Sequence, residues 1–153
     1  FLEPKRRYWS KGELDGEKAV IGRAAVRRTG RDCTVIAYGP ALVPALEAAR
    51  IAETQGRDLE VVDLRGLVPL DEQTVLASVR KTGRCVVVHE AQSTLGFGAE
   101  IAALVQEHAF YELRAPVLRV TGFDIPYPPA RIEHHHLPDA DRVLDAVEHV
   151  LTL

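Results

Sequence analysis

His89 and Glu90 stand side by side at the end of an apolar run, Cys85-Val86-Val87-Val88. An imidazole next to a carboxylate is a common means of moving a proton near neutral pH. Adjacent residues on a strand point to opposite faces, so these two meet at one atom only if the chain bends there. The expectation is a structural histidine and a glutamate that faces another subunit. His134-His135-His136, with Glu133 and Asp139 close by, offers metal-ligating groups. Consecutive side chains diverge, however, and the usual short ligand spacings leave residues between them, so no metal site is expected. Gly96-Phe97-Gly98 opens like a phosphate-binding turn. The dinucleotide pattern needs a third glycine where Ile101 stands, and it should follow its strand directly, yet five residues intervene. A glycine-rich helix start packed closely on a sheet is the reading preferred. Cys33 and Cys85 each open an apolar, β-rich run and are expected to be small buried side chains. The sequence holds no Gly-x-Ser-x-Gly elbow, no Walker pattern and no Cys-x-x-Cys. Alone, it shows no complete active site.

The elements that would position these residues alternate. Ala19 to Val26 is short and apolar, a possible edge strand in a hairpin with Cys33 to Tyr38. Leu42, Leu46 and Ala49 share a helical face, and Gly56 supplies a stop. Leu59 to Arg65 reads as the next strand. Asp71 is a helix N-cap, with Val75, Leu76 and Val79 inward and Gly83 at the end. The run at Cys85 is a strand covered on both faces, and Ile101, Leu104, Val105 and His108 mark an amphipathic helix after it. Pro116 to Thr121 is a fourth parallel strand, and Val143, Val147, Val150 and Leu151 stripe a last helix capped by Asp139. Such alternation predicts an α/β, three-layer, doubly wound, mostly parallel sheet of about five strands, with helices on both faces. Between the last strand and helix runs a proline-rich loop containing Phe123 and Tyr127. Loops of this length in compact domains usually serve function or a partner, so Phe123 and Tyr127 join His89 and Glu90 as candidate subunit-interface residues.

The bulk numbers exclude several classes. The 153 residues suit one domain. Nineteen basic residues against 22 acidic ones give a net charge of −3, which lends no support to a nucleic-acid partner. No apolar run approaches a membrane span. The cluster Lys5, Arg6 and Arg7 reads as a solvated face, and Tyr8 and Trp9 as residues that pack on something, another chain included. The chain contains no Met, begins at Phe1 without a signal-peptide core, and is expected to be a piece of a longer protein. The composition fits the cytoplasm, or an organelle matrix.

Several blocks together resemble a known family. They are Phe1-Leu2-Glu3-Pro4-Lys5, Gly30 and Asp32 leading into Thr34 to Gly39, and Val61 to Arg65 with Pro69-Leu70-Asp71. Further on come Ser78 to Arg84, His89-Glu90-Ala91, Gly96 to Ile101, Ala115-Pro116, Arg119 to Asp124 and Pro126-Tyr127-Pro128. In this order they resemble the C-terminal part of the β subunit of thiamin-diphosphate-dependent 2-oxoacid dehydrogenase E1 components. The branched-chain type is most similar, and pyruvate and acetoin types share much of the rest. The resemblance implies residues 1–18 as the end of a preceding domain plus linker, and 19–153 as a transketolase C-terminal-like domain. It implies an α2β2 enzyme that decarboxylates a 2-oxoacid and passes the acyl group to a lipoyl arm on E2. Thiamin diphosphate and Mg²⁺ would lie outside this chain, leaving it assembly and docking of the E2 peripheral-subunit-binding domain. In the family that docking uses an acid before the Ala-Pro pair and the β C-terminal carboxylate. Here Arg114 precedes Ala115-Pro116. Glu112, two residues earlier and on the same face if the segment is a strand, is the candidate replacement, with Leu153 as the terminal contributor. The other function class considered is a free-standing domain that binds a small anion at its strand ends.

Overall fold

The computed structural model describes residues 3–9, 11 and 19–153. Five strands, β1 (Ala25–Arg28), β2 (Cys33–Ala37), β3 (Leu59–Asp63), β4 (Cys85–Gln92) and β5 (Leu118–Gly122), form one sheet in the order β1-β3-β2-β4-β5. β2 to β5 run parallel, and β1 is an antiparallel edge. The described residues also form four α-helices: α1 (Leu42–Thr54), α2 (Glu72–Thr82), α3 (Phe97–Ala109) and α4 (Ala140–Thr152). The doubly wound, mostly parallel architecture expected from the alternation is present.

Strand alternation sorts the core into two layers. Val35, Ala37, Val61, Val86 and Val88 face α1 and α4. Ile36, Val62, Cys85 and Val87 face α2 and α3. Every residue of β2 is buried, as a central strand with both faces covered requires. The face α1 turns inward is made of Ala45, Ala48, Ala49 and Ala52, with Leu42 and Leu46 only flanking it. Small side chains let that helix lie close to the strands. The Asp71 side chain accepts the Thr74 N–H at 3.1 Å and the Ala24 N–H at 3.0 Å, so the α2 cap also pins the start of β1. Asp139 caps α4 by accepting the Arg142 N–H at 2.8 Å.

Two expectations are corrected. β1 does not form a hairpin with β2; it pairs with β3, with Val26 opposite Val62. The turn at Gly30 crosses under the start of β3, where Arg31 and Asp32 N–H groups both donate to the Asp58 carbonyl at 2.9 Å, and so carries the chain past its nearest neighbour. Glu112 and Arg114 do not share a strand. Phe110–Glu112 is a 3-10 turn, Leu113 and Arg114 belong to the connection that follows, and β5 starts only at Leu118.

Residues 1, 2, 10 and 12–18 of the expected linker lie outside the described residues. Of the remainder, Lys5–Arg7 is a 3-10 turn, Tyr8 donates to Glu3 at 3.0 Å, and Trp9 is exposed. Both cysteines are free and wholly buried, and burial pushes the Cys33 thiol up to about 12. Neither is a reactive thiolate near neutral pH.

Candidate functional site

In an open α/β sheet the crevice beyond the strand ends, where the crossover direction reverses, is the usual ligand site. Here that point lies between β2 and β4, and the chemistry-bearing histidine sits just beneath it. His89 is fully buried on β4. Its Nε2 accepts the Gly98 N–H at 3.2 Å, so the proton rests on Nδ1, which donates to the Ala91 carbonyl at 3.0 Å. The ring stacks on Tyr38, centroids 5.6 Å apart, and Tyr38 meets Phe97 edge-on at 6.3 Å. Both nitrogens are committed, and His89 presents no surface to substrate or partner.

This arrangement explains the glycine-rich turn. A Cβ on Gly98 would fall 2.3 Å from His89 Nε2, and one on Gly96 would fall 2.2 Å from the Gln92 carbonyl oxygen. The glycines make room for an imidazole, and that imidazole takes an N–H that a phosphate would need. Burial lowers the His89 pKa from its ordinary 6.5, outweighing the Ala91 hydrogen bond that raises it. With the folded value depressed, this stabilisation is complete above pH 6.5 and is lost as the pH falls through the folded value. Urea unfolding is therefore expected to show a midpoint that drops on acidification through this range. A His89→Gln variant should be less stable above pH 6.5 and lack that part of the decline. An undiminished acid-side decline in the variant would remove His89 as its source.

The cleft at the switch point holds about 190 Å³ and is walled by Pro40, Val43, Pro44, Glu90 and Pro138, with Arg7 from the N-terminal arm. Its three prolines offer no N–H groups and the Glu90 carboxylate offsets the cation of Arg7, so the cleft is poorly suited to a small anion. Nor do the residues fit thiamin diphosphate and Mg²⁺. Among the described residues no three His, Cys, Asp or Glu side chains converge for a metal. The larger hollow between α1 and α4, about 520 Å³, is lined by Asp141, Asp145 and Glu148 with Arg57, which repels a diphosphate more than it attracts one.

What the strand ends do present is an aromatic, apolar surface. The loop after β5 places His136 inside, Phe123 and Tyr127 edge-on against its ring at 6.1 and 5.3 Å, and the Arg142 guanidinium 4.6 Å from the Phe123 centroid. Arg142 also donates to the Thr121 carbonyl at 2.6 Å, fixing the stack to β5. Thr94 donates twice to Asp124, through N–H and hydroxyl, each at 2.8 Å, and so ties the loop after β4 to the loop after β5. These bonds also hold Asp124 below the ordinary carboxylate range. On this frame Leu95, Phe123, Ile125, Tyr127 and Ile132 are exposed. Leu95 is 93% exposed and held at φ +60°, a strained conformation for a leucine that points to a function for its display. A hollow of about 260 Å³ opens between Phe123, Ile125, Pro128 and Ile132. These exposed apolar residues make the strand ends the candidate interaction surface.

Of the four interface candidates, Phe123 and Tyr127 lie on this surface, Glu90 lies half-buried at the switch-point cleft, and His89 supports the region from inside. The docking candidates gather at the opposite end of the sheet. Arg80 meets Glu112 at 3.7 Å. Arg114 N–H donates to the Gly83 carbonyl at 2.8 Å, and the next residue, Arg84, donates to the Val150 carbonyl three residues before Leu153. Sequence reading missed Tyr38 and Arg142, which stack against the ring systems, and Leu95; nothing in their local spacing announces those roles.

No helix among the described residues is long and apolar enough to cross a membrane. Residues 22–143 match the family model described as transketolase, C-terminal domain. The chain is 54% identical to a Mycobacterium tuberculosis protein named 3-methyl-2-oxobutanoate dehydrogenase subunit beta, over 99% of this chain and 44% of the relative. It is 52% identical to a Leifsonia xyli protein named pyruvate dehydrogenase E1 component subunit beta, over 99% of this chain and 45% of that one. A solved structure described as a split gene transketolase, inactive beta4 tetramer, superposes with a TM-score of 0.80 at 31% identity, over 94% of this chain and 46% of the other. The chain thus spans less than half the length of these relatives.

Proposed function

Because this chain belongs to the transketolase C-terminal domain family, we propose that it is the assembly domain of the β subunit of a thiamin-diphosphate-dependent 2-oxoacid dehydrogenase E1 component. The whole enzyme, α2β2, decarboxylates a branched 2-oxoacid and transfers the acyl group to the lipoyl arm of E2, in the bacterial cytoplasm. The observation that carries this reading is the match to a branched-chain β subunit along nearly the whole chain. Thiamin diphosphate would supply a stabilised carbanion at a site formed by other polypeptide. This chain's part is positional. The exposed Leu95, Phe123, Ile125 and Tyr127 seat a second β subunit, and the end bearing Glu112, Arg114 and Leu153 docks the E2 peripheral-subunit-binding domain. That a structural neighbour is a tetramer of β chains supports self-association.

The test is reconstitution. The full β chain carrying these residues, assembled with its α partner, is expected to decarboxylate 3-methyl-2-oxobutanoate with a kcat/KM at least about tenfold above that for pyruvate, the scale set by added methyl groups in an apolar pocket. The 153-residue chain alone is expected to turn over neither. Turnover by the chain alone would overturn the positional reading, and a preference for pyruvate would overturn the branched-chain assignment.

A further inference from the structure

We propose that the hollow between β1, β3 and α2 binds a short aliphatic α-amino acid, with its ammonium on Glu60 and its carboxylate on Lys81. The proposal is independent of the assembly reading. None of the residues lining this hollow belongs to the strand-end surface or to the end bearing Glu112, Arg114 and Leu153.

The hollow follows from the edge position of β1. Val26 stands opposite Val62, so the two share the face of the sheet that α2 packs on. Val62 is buried there, whereas Val26 stays exposed. On this side α2 presents Ala77 and Ser78, whose small side chains leave the space beside the edge strand unfilled. The result is a hollow of about 230 Å³, walled by Val26, Thr29, Ala77, Ser78 and Lys81, with Glu60 among its lining. That volume would take several waters, each with a share of about 30 Å³ in the liquid, or one small organic molecule.

Charge identifies the occupant. Glu60 is 1% exposed, and a buried carboxylate demands donors. Its Oε2 accepts from Lys81 Nζ and, at 3.4 Å, from the Gly30 N–H, while Oε1 is buried with no partner. A strong acceptor is thus left for a ligand's N–H. Lys81 carries several donors on a flexible stem and is exposed, so its ammonium can hold Glu60 and still meet a second anion. The ligand reaches Oε1 as that stem swings outward. A ligand that is only a cation would be repelled by Lys81, and one that is only an anion by Glu60. A zwitterion matches both. Val26 and Ala77 supply an apolar wall for a side chain of a few carbons.

The experiment titrates the isotope-labelled chain with L-valine, isobutylamine and 3-methylbutanoate and follows amide chemical shifts. The amine is valine without its carboxylate, and the acid is valine without its ammonium. L-Valine is expected to bind at least about tenfold tighter than either, the scale of one lost charge-assisted hydrogen bond. Its shifts should centre on residues 26–30, 60 and 77–81. Ala77→Leu fills the hollow and leaves the Glu60–Lys81 pair in place, so it should abolish those shifts. Lys81→Gln should remove the preference for valine over isobutylamine. Should Lys81→Gln fail to fold, the ligand series and Ala77→Leu decide alone. Absence of saturable shifts with valine would leave water as the occupant and overturn the proposal. Either single-charge probe binding as tightly as valine, or valine binding that survives Ala77→Leu, would overturn it equally.

Discussion

Gly30→Ala is expected to abolish the native fold. Gly30 lies in the turn between β1 and β2, against the backbone of β3. A Cβ there would sit 2.2 Å from the Leu59 carbonyl carbon, 2.4 Å from the Glu60 nitrogen and 2.6 Å from the Leu59 oxygen. These are main-chain atoms with no rotamer to change. β3 is held between β1 and β2 and cannot retreat without breaking a ladder. Overpacking against flexible side chains already costs about 1–3 kcal/mol, and a clash with a central strand should exceed that, against a total stability of about 5–15 kcal/mol. Gly56→Ala is the contrast. Gly56 has φ +77° and no atom within 4 Å of its added Cβ, so only conformational strain of about 1–2 kcal/mol is expected. Thermal unfolding followed by circular dichroism checks both. A cooperative transition for Gly30→Ala at the Gly56→Ala temperature would show that the turn is not packed as described.

Lys81→Met should be the second most damaging change. Glu60 is 1% exposed on β3, with Lys81 Nζ as its charged partner and the Gly30 N–H as a long second contact at 3.4 Å. Its Oε1 has no hydrogen-bond partner. Removing the ammonium leaves a buried carboxylate uncompensated, a change that costs about 3–5 kcal/mol for fully buried pairs. The Lys81 side chain is 45% exposed, so water reaches the site and a smaller cost, about 2–3 kcal/mol, is expected. Exchanging both partners for Met and Leu removes the stranded charge, and the double variant should recover most of the loss. Urea unfolding of the two single variants and the double variant forms the cycle. A Lys81→Met midpoint equal to wild type would mean the pair contributes nothing.

Much of this architecture was legible because strands buried on both faces announce themselves as apolar runs, as β4 does, and because Asp71 and Asp139 are capping residues at helix starts. The pairing of β1 was not, since a short edge run carries no mark of which neighbour it will join. Leu59-Glu60-Val61-Val62 held a signal that was passed over: an acid inside an otherwise buried strand demands a cation, and α2 supplies Lys81. The aromatic surface was half legible. Phe123 and Tyr127 stand out among prolines, whereas Tyr38, Arg142 and Leu95 become informative only once the sheet brings β2, β4, β5 and α4 together. Glu112 and Arg114 do not share a face because a 3-10 turn and the connection after it lack the two-residue alternation of a strand.

The central claim is that the exposed surface at the strand ends exists to hold another subunit. Sedimentation equilibrium of the chain beside its Ile125→Asp variant tests it most directly, since Ile125 is exposed and its replacement leaves the core untouched. The account predicts a concentration-dependent dimer for the chain and, for the variant, a folded monomer with the parent's circular dichroism spectrum. A chain that stays monomeric at every concentration, or a variant that dimerises as well as the parent, would contradict it.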